Sequence, residues 1–119
     1  MERLPIFDRE SAMLRVDQDE EFFAELLEVF FSDIEERLDE LKTAISSKVA
    51  KDLESGAHSL KSALGNLGAM RAHEQAFALE KSARESGLSS TEQAEQMLTE
   101  FKKEIEAFRQ QVQSFMSTT

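Results

Sequence analysis

Cysteine, tryptophan and tyrosine are absent from this chain, and it holds only 4 glycines and 1 proline. Without cysteine there is no disulfide frame, no thiolate nucleophile and no Cys-ligated zinc or iron–sulfur site, which fits a reducing compartment. So few chain breakers leave little material for hairpin and sandwich turns, and an all-β fold is disfavoured. The longest apolar runs, such as Val29-Phe30-Phe31, fall far short of the roughly 20 residues a membrane span needs. The acidic N-terminus does not read as a signal peptide. Basic residues are also in the minority: 14 against 24 acidic ones give a formal charge of −10, which repels phosphate backbones and anionic lipid at long range. Nucleic acid and membrane contact are therefore not expected, and the protein is expected to be soluble and cytoplasmic.

The 119 residues, 40% of them apolar and 32% charged, suffice for one domain with one core, taken as residues 1–119. Apolar spacing makes that domain helical. Asp8 is placed to cap a short helix to Val16 carrying Met13 and Leu14. From Asp19 a long helix follows, with Phe23, Leu27, Phe30, Ile34, Leu38, Leu41 and Ile45 at steps of three and four, widened by Leu26 and Phe31. Asp19, Glu20 and Glu21 suit its positive N-terminal end. A third helix places Val49, Leu53, Leu60, Leu64 and Leu67 on one face and ends near Gly68. A fourth, Met70 to Ser86, buries Ala69, Ala72, Ala76, Leu79 and Ala83 and stops at Gly87; its small residues imply close helix contact. The last, Thr91 to Phe115, repeats Ala94, Leu98, Phe101, Ile105, Phe108, Val112 and Phe115. Long amphipathic helices joined by short polar loops predict an all-α, antiparallel up-down four-helix bundle with the short helix added at its N-terminus. Only Met1 to Leu4 and Ser117 to Thr119 read as loose.

His58 stands out against that pattern. At 100° per residue, Leu53, Leu60, Leu64 and Leu67 lie within about 60° of the direction opposite to it, so the ring faces solvent in mid-helix. Its strip holds Lys51, Glu54, Ser55, Lys61, Ser62 and Gly65, all small or charged. A glycine in an exposed helix interior costs about 1 kcal/mol, so Gly65 reads as room kept for something approaching the imidazole. Gly56, on the buried side, reads as a point of helix-to-helix approach. Lys48, Lys51 and Lys61 against Asp52 and Glu54 leave residues 48–67 at +1 within a chain of −10, a basic strip suited to an acidic partner pocket. A neutral imidazole nitrogen is a competent nucleophile toward an acyl phosphate, while a protonated ring has no lone pair to offer. Lys61 is placed to meet a phosphate oxygen, and Glu54 to accept the Nδ1 proton and leave Nε2 free. A lone surface histidine is more often merely solvated, and it is the small and cationic flank that sets this one apart. His73 falls about 90° from the alanine stripe on the side of Phe77, Glu80 and Arg84, where boundary packing explains it and Phe77 could serve as an apolar docking contact. The two histidines have no Glu-x-x-His companions, so no metal site is expected.

The string Ala57-His58-Ser59-Leu60-Lys61-Ser62-Ala63-Leu64-Gly65-Asn66-Leu67-Gly68-Ala69 closely resembles the signature of histidine-containing phosphotransfer (HPt) domains of bacterial two-component phosphorelays. Phe7-Asp8, Glu25-Leu26-Leu27 with Phe30, and Leu79-Glu80 with Arg84 extend the resemblance over nearly the whole chain. The resemblance implies that His58 is the phosphoacceptor, Lys61 the cation associated with the phosphorylated ring, and Arg84 a basic residue of the adjacent helix close to it. It implies a four-helix bundle with an extra N-terminal helix and a carrier without kinase activity of its own. Such a carrier takes phosphate from the aspartate of one receiver domain, at times that of a hybrid sensor kinase, and passes it to another. The chain itself needs no cofactor by this reading; the receiver supplies Mg²⁺ and the acidic pocket. Ser62 departs from the glycine common at its position, and Gly65 and Asn66 replace the usual Ser or Ala variants. Lys51, Glu54, Ser55, Ser62, Gly65, Phe77 and Arg84 are the expected docking residues, and the chain is expected to be a monomer. Two other readings remain: an interaction module that dimerises through the stripe of its last helix, and a kinase-substrate histidine domain of the chemotaxis type.

Overall fold

The computed structural model describes residues 3–117. Five helices follow one another: α1 (Arg9–Arg15), α2 (Glu20–Ser46), α3 (Ala50–Asn66), α4 (Met70–Ser86) and α5 (Thr91–Ser117). α2 packs on α3, α3 on α4, α4 on α5, and α5 returns to α2. This is the up-down bundle expected from the spacing of apolar residues, with α1 laid across one end.

The stripes account for the core. Phe23, Leu27, Phe30, Ile34, Leu38, Leu41 and Ile45 of α2 are buried, as are Ala94, Leu98, Phe101, Ile105, Phe108 and Val112 of α5. The α4 alanines are buried with Leu79 and let that helix approach its neighbours closely. A Cβ on Gly56 would lie 2.7 Å from Leu41 Cδ2, so this glycine makes room for the Leu41 side chain of α2 against α3. Asp8 and Asp19 cap their helices by accepting from Ser11 N at 3.2 Å and Phe22 N at 3.0 Å, contacts worth about 1 kcal/mol each. Gly87 ends α4 in the left-handed conformation, φ 56°.

Some placements differ from the sequence reading. Val49 is 39% exposed and stands at the N-cap of α3, outside the stripe, because Lys48 takes a left-handed turn (φ 59°) immediately before it. In α1, whose facing the sequence reading left open, Ala12 and Met13 are buried and Leu14 is exposed. α5 continues through Ser117, and the Leu4 carbonyl accepts from Arg71 Nε at 2.6 Å, so neither residue is loose. Met1, Glu2, Thr118 and Thr119 lie outside the described residues. No helix among the described residues is long and apolar enough to cross a membrane.

The turn between α3 and α4 is fixed to the N-terminal segment. Asp8 N donates to Gly68 O at 2.7 Å, and Phe7 beside it stacks on Phe23 at 6.0 Å and meets Phe108 edge-on at 5.7 Å. Gly68 has φ 77°, and a Cβ there would lie 2.6 Å from the Asp8 carbonyl oxygen. Gly87 shares the left-handed backbone but has nothing within 4 Å of its missing Cβ. Gly87→Ala is therefore expected to cost only the left-handed penalty of about 1–2 kcal/mol, and Gly68→Ala measurably more, because backbone must move. Urea unfolding of the two variants checks this; equal losses would contradict it.

Candidate functional site

α3 and α4 run antiparallel around a tight turn at Ala69, and both rise 1.5 Å per residue. A residue a given number of positions before Ala69 therefore faces the residue as many positions after it. The facing pairs are Glu54 with Arg84, His58 with Glu80, Lys61 with Phe77, and Gly65 with His73. Each pair is in contact: Arg84 Nε donates to Glu54 Oε2 at 2.9 Å, His58 Nδ1 lies 2.7 Å from Glu80 Oε2, Lys61 Nζ sits 5.1 Å from the Phe77 ring centroid, and a Cβ on Gly65 would stand 3.1 Å from His73 Nδ1. These four rungs form one ladder down the α3–α4 seam.

Glu80 is its centre. It is the one charged residue among the buried set of the described chain, 4% exposed, yet three cationic or ring donors converge on it. Lys61 Nζ lies 2.6 Å from Oε1, His58 Nδ1 2.7 Å from Oε2, and Arg84 Nη2 3.1 Å from Oε2. Lys61 Nζ meets Oε1 as a close, charge-assisted contact, so neither carboxylate oxygen is left without a cationic or ring partner. Burial by itself would raise the Glu80 pKa; the hydrogen bonds and charges of Lys61 and His58 outweigh it and hold the carboxyl below its ordinary value. Its hydrogen bond with Glu54, aided by the charges of Glu54, Glu80 and Glu85, raises the Arg84 pKa despite partial desolvation.

An ionised carboxylate only accepts hydrogen bonds, so the ring nitrogen facing Glu80 must carry the proton. In the neutral ring this contact selects the Nδ1–H tautomer and turns Nε2 outward, and the side chain is 61% exposed. The sequence reading gave that Nδ1 contact to Glu54. Glu54 pairs instead with Arg84 across the seam, and the proton of His58 is held from α4. The sequence reading noted Glu80 beside Leu79 and on the side of His73, Phe77 and Arg84 but gave it no role; equal counting outward from the α3–α4 turn would have placed it opposite His58.

The other expected residues are distributed around this centre. Lys51, Ser55 and Ser62 are exposed on α3 and Phe77 and Arg84 on α4, so the site extends onto both helices. Lys61 is only 21% exposed and committed to Glu80, which leaves Arg84, 51% exposed, as the more accessible cation. The room beside Gly65 is taken by the ring of His73, not kept for an incoming group. His73 does pack at a boundary, and its Nδ1 also bonds Lys61 O at 2.8 Å. The sequence reading missed an apolar groove of about 340 Å³ between α2 and α3, running from Ser59 past Leu60, Ala63 and Leu67 to Leu26, Val29 and Phe30. Val29, 65% exposed, was its available signal.

A helical bundle with a solvent-facing histidine on a mid-bundle helix is the arrangement that the resemblance to histidine phosphotransfer domains implies. The Hpt domain family model matches residues 25–111, and the chain belongs to that family. It is thus a phosphorelay intermediate of two-component signalling, a class that exchanges phosphate with response-regulator receiver domains. The chain is similar to histidine-containing phosphotransfer protein B (HptB) from Pseudomonas aeruginosa PAO1, with 32% identity, a TM-score of 0.71, and coverage of 94% of this chain and 98% of that crystal structure. No curated protein sequence matches it.

Because the folded state lowers the Glu80 pKa, the stabilisation from its ionised form is present above the ordinary glutamate value of about 4.3 and is lost as pH falls through the folded value. Unfolding free energy measured from pH 7 to pH 3 is expected to fall more steeply for the native chain than for Glu80→Gln. Parallel profiles would contradict the assignment.

Proposed function

We propose that His58 is the phosphoacceptor of this domain and that Glu80 is the residue that readies it. The observation that carries this reading is the Nδ1···Glu80 contact at 2.7 Å on a ring otherwise open to solvent. In the proposed transfer, the Nε2 lone pair attacks the phosphorus of a receiver's aspartyl phosphate. The bond from phosphorus to the aspartate oxygen breaks, and its electron pair leaves with the carboxylate. The imidazole keeps its Nδ1 proton and becomes cationic, and the charge of Glu80 balances it as it forms. The return step reverses this: a second receiver's aspartate attacks phosphorus, and Nε2 leaves with its pair. Arg84 reaches the same carboxylate as His58 and is exposed enough to meet a phosphoryl oxygen. Lys61 acts at shorter reach, through Glu80.

Mg²⁺ belongs to the receiver in this proposal, where it offsets phosphoryl charge. The chain supplies a positioned nucleophile and no kinase activity of its own. The receiver is proposed to dock over Lys51, Ser55, Ser62, Phe77 and Arg84 and to extend into the groove beside Ser59, with an apolar ridge on Leu26 and Val29. Burial of the α5 stripe inside the bundle removes the seam that a coiled-coil dimer would use, which supports a monomeric carrier.

Intact mass after mixing with a receiver phosphorylated by acetyl phosphate tests this. The native chain is expected to gain an acid-labile, base-stable phosphate, and His58→Gln none. Glu80→Gln is expected to accept it about 10- to 100-fold more slowly, the cost of one hydrogen bond to a charged group. Labelling of His58→Gln would contradict the assignment. Labelling only by a histidine kinase core, never by a receiver, would favour the chemotaxis-type reading.

A further inference from the structure

We propose that His73 is a positioning residue that, with Gly65, locks the register of α4 against α3 and so holds Glu80 beneath His58; the proposal rests on His58 being the phosphoacceptor. His73 Nδ1 stands 2.8 Å from the Lys61 carbonyl oxygen. A carbonyl accepts and cannot donate, so Nδ1 carries the proton. The α-helical partner of that carbonyl is the N–H of Gly65, four residues on, and the His73 proton takes its other lone pair. Side chains lean toward the helix N-terminus, so a Cβ at position 65 would shade the Lys61 carbonyl. It would stand 3.1 Å from His73 Nδ1 and 3.3 Å from Cε1, close enough that the ring would have to shift by a few tenths of an ångström against its bond to the Lys61 carbonyl. The missing Cβ therefore gives His73 its acceptor, and this accounts for a glycine at a costly helical position.

The consequence for the site follows from the ladder. Two rungs carry its chemistry: His58 on Glu80, and Lys61 on Phe77 and Glu80. The outer rungs pin the seam on either side, Arg84 on Glu54 at one end and His73 on the backbone of Lys61 at the other. Arg84 and Glu54 are a solvent-accessible ion pair, 51% and 35% exposed, and such pairs are weak constraints. His73 bonds a carbonyl that cannot rotate. It fixes the turn of α3 that carries Lys61, one turn from His58, against the face of α4 that carries Glu80 two turns away.

The test measures phosphoryl uptake from an acetyl-phosphate-loaded receiver at varied receiver concentration, together with urea unfolding midpoints. His73→Ala is expected to lower the saturating rate about tenfold, since a displacement of order 1 Å between reacting groups costs up to about a hundredfold. The half-saturating receiver concentration should stay unchanged, and His73→Asn, which keeps a donor at the Nδ1 position, should restore most of the rate. Gly65→Ala is expected to lower the unfolding midpoint of the native chain but to raise it in a His73→Ala background, where helix propensity alone remains. A native saturating rate in His73→Ala, no rescue by His73→Asn, or a raised midpoint from Gly65→Ala in both backgrounds would overturn the proposal. Labelling of His58→Gln in the same assay would instead overturn the reading on which it rests, and the proposal with it.

Discussion

Glu80 is a carboxylate inside a bundle otherwise closed over apolar side chains, and an unpartnered charge there would cost several kcal/mol. The arrangement of the seam follows from meeting that cost. Lys61 and Arg84 bring charge to it from either side, and the His58 ring supplies a proton from above. In the neutral ring the same contact that satisfies the acid selects the Nδ1–H tautomer and turns Nε2 outward. In the proposed transfer, stability and reactivity are thus coupled through one pair of oxygens.

The scaffold makes this possible by being rigid where the seam is narrow. Alanines on α4 and Gly56 on α3 let the helices pack closely, and the Gly68 turn, tied to Asp8, sets where the equal counting of residues begins. From that origin the antiparallel register brings Glu80 opposite His58. The ring of Phe7 on Phe23 and Phe108 places α1 so that it braces the turn. A short helix that looks peripheral in the sequence therefore supports the placement of a group eleven residues from the turn it contacts.

Much of this was legible in the residues alone. The stripes of α2 and α5 identified their buried positions because the period of a single helix decides which side faces inward. His58 could be assigned to solvent for the same reason. Glu80 could not: it sits beside Leu79 at the edge of the alanine stripe, and whether an acid there is buried depends on what faces it from another helix. The misassignment of the Nδ1 contact to Glu54 has the same origin, since contacts within a helix can be counted from spacing while contacts across a seam need the register. Gly65 was noticed for its cost, but its occupant, His73, belongs to the next helix. Val49 failed as a core residue because the left-handed turn at Lys48 changes the facing of the chain within a residue or two.

The central claim is that a buried, ionised Glu80 holds the His58 ring as the Nδ1–H tautomer with Nε2 open. Long-range proton–nitrogen NMR correlations of the ring at neutral pH test it directly. A ring predominantly protonated at Nδ1 is the predicted result, with that preference lost in Glu80→Gln. A ring predominantly protonated at Nε2 would contradict the account.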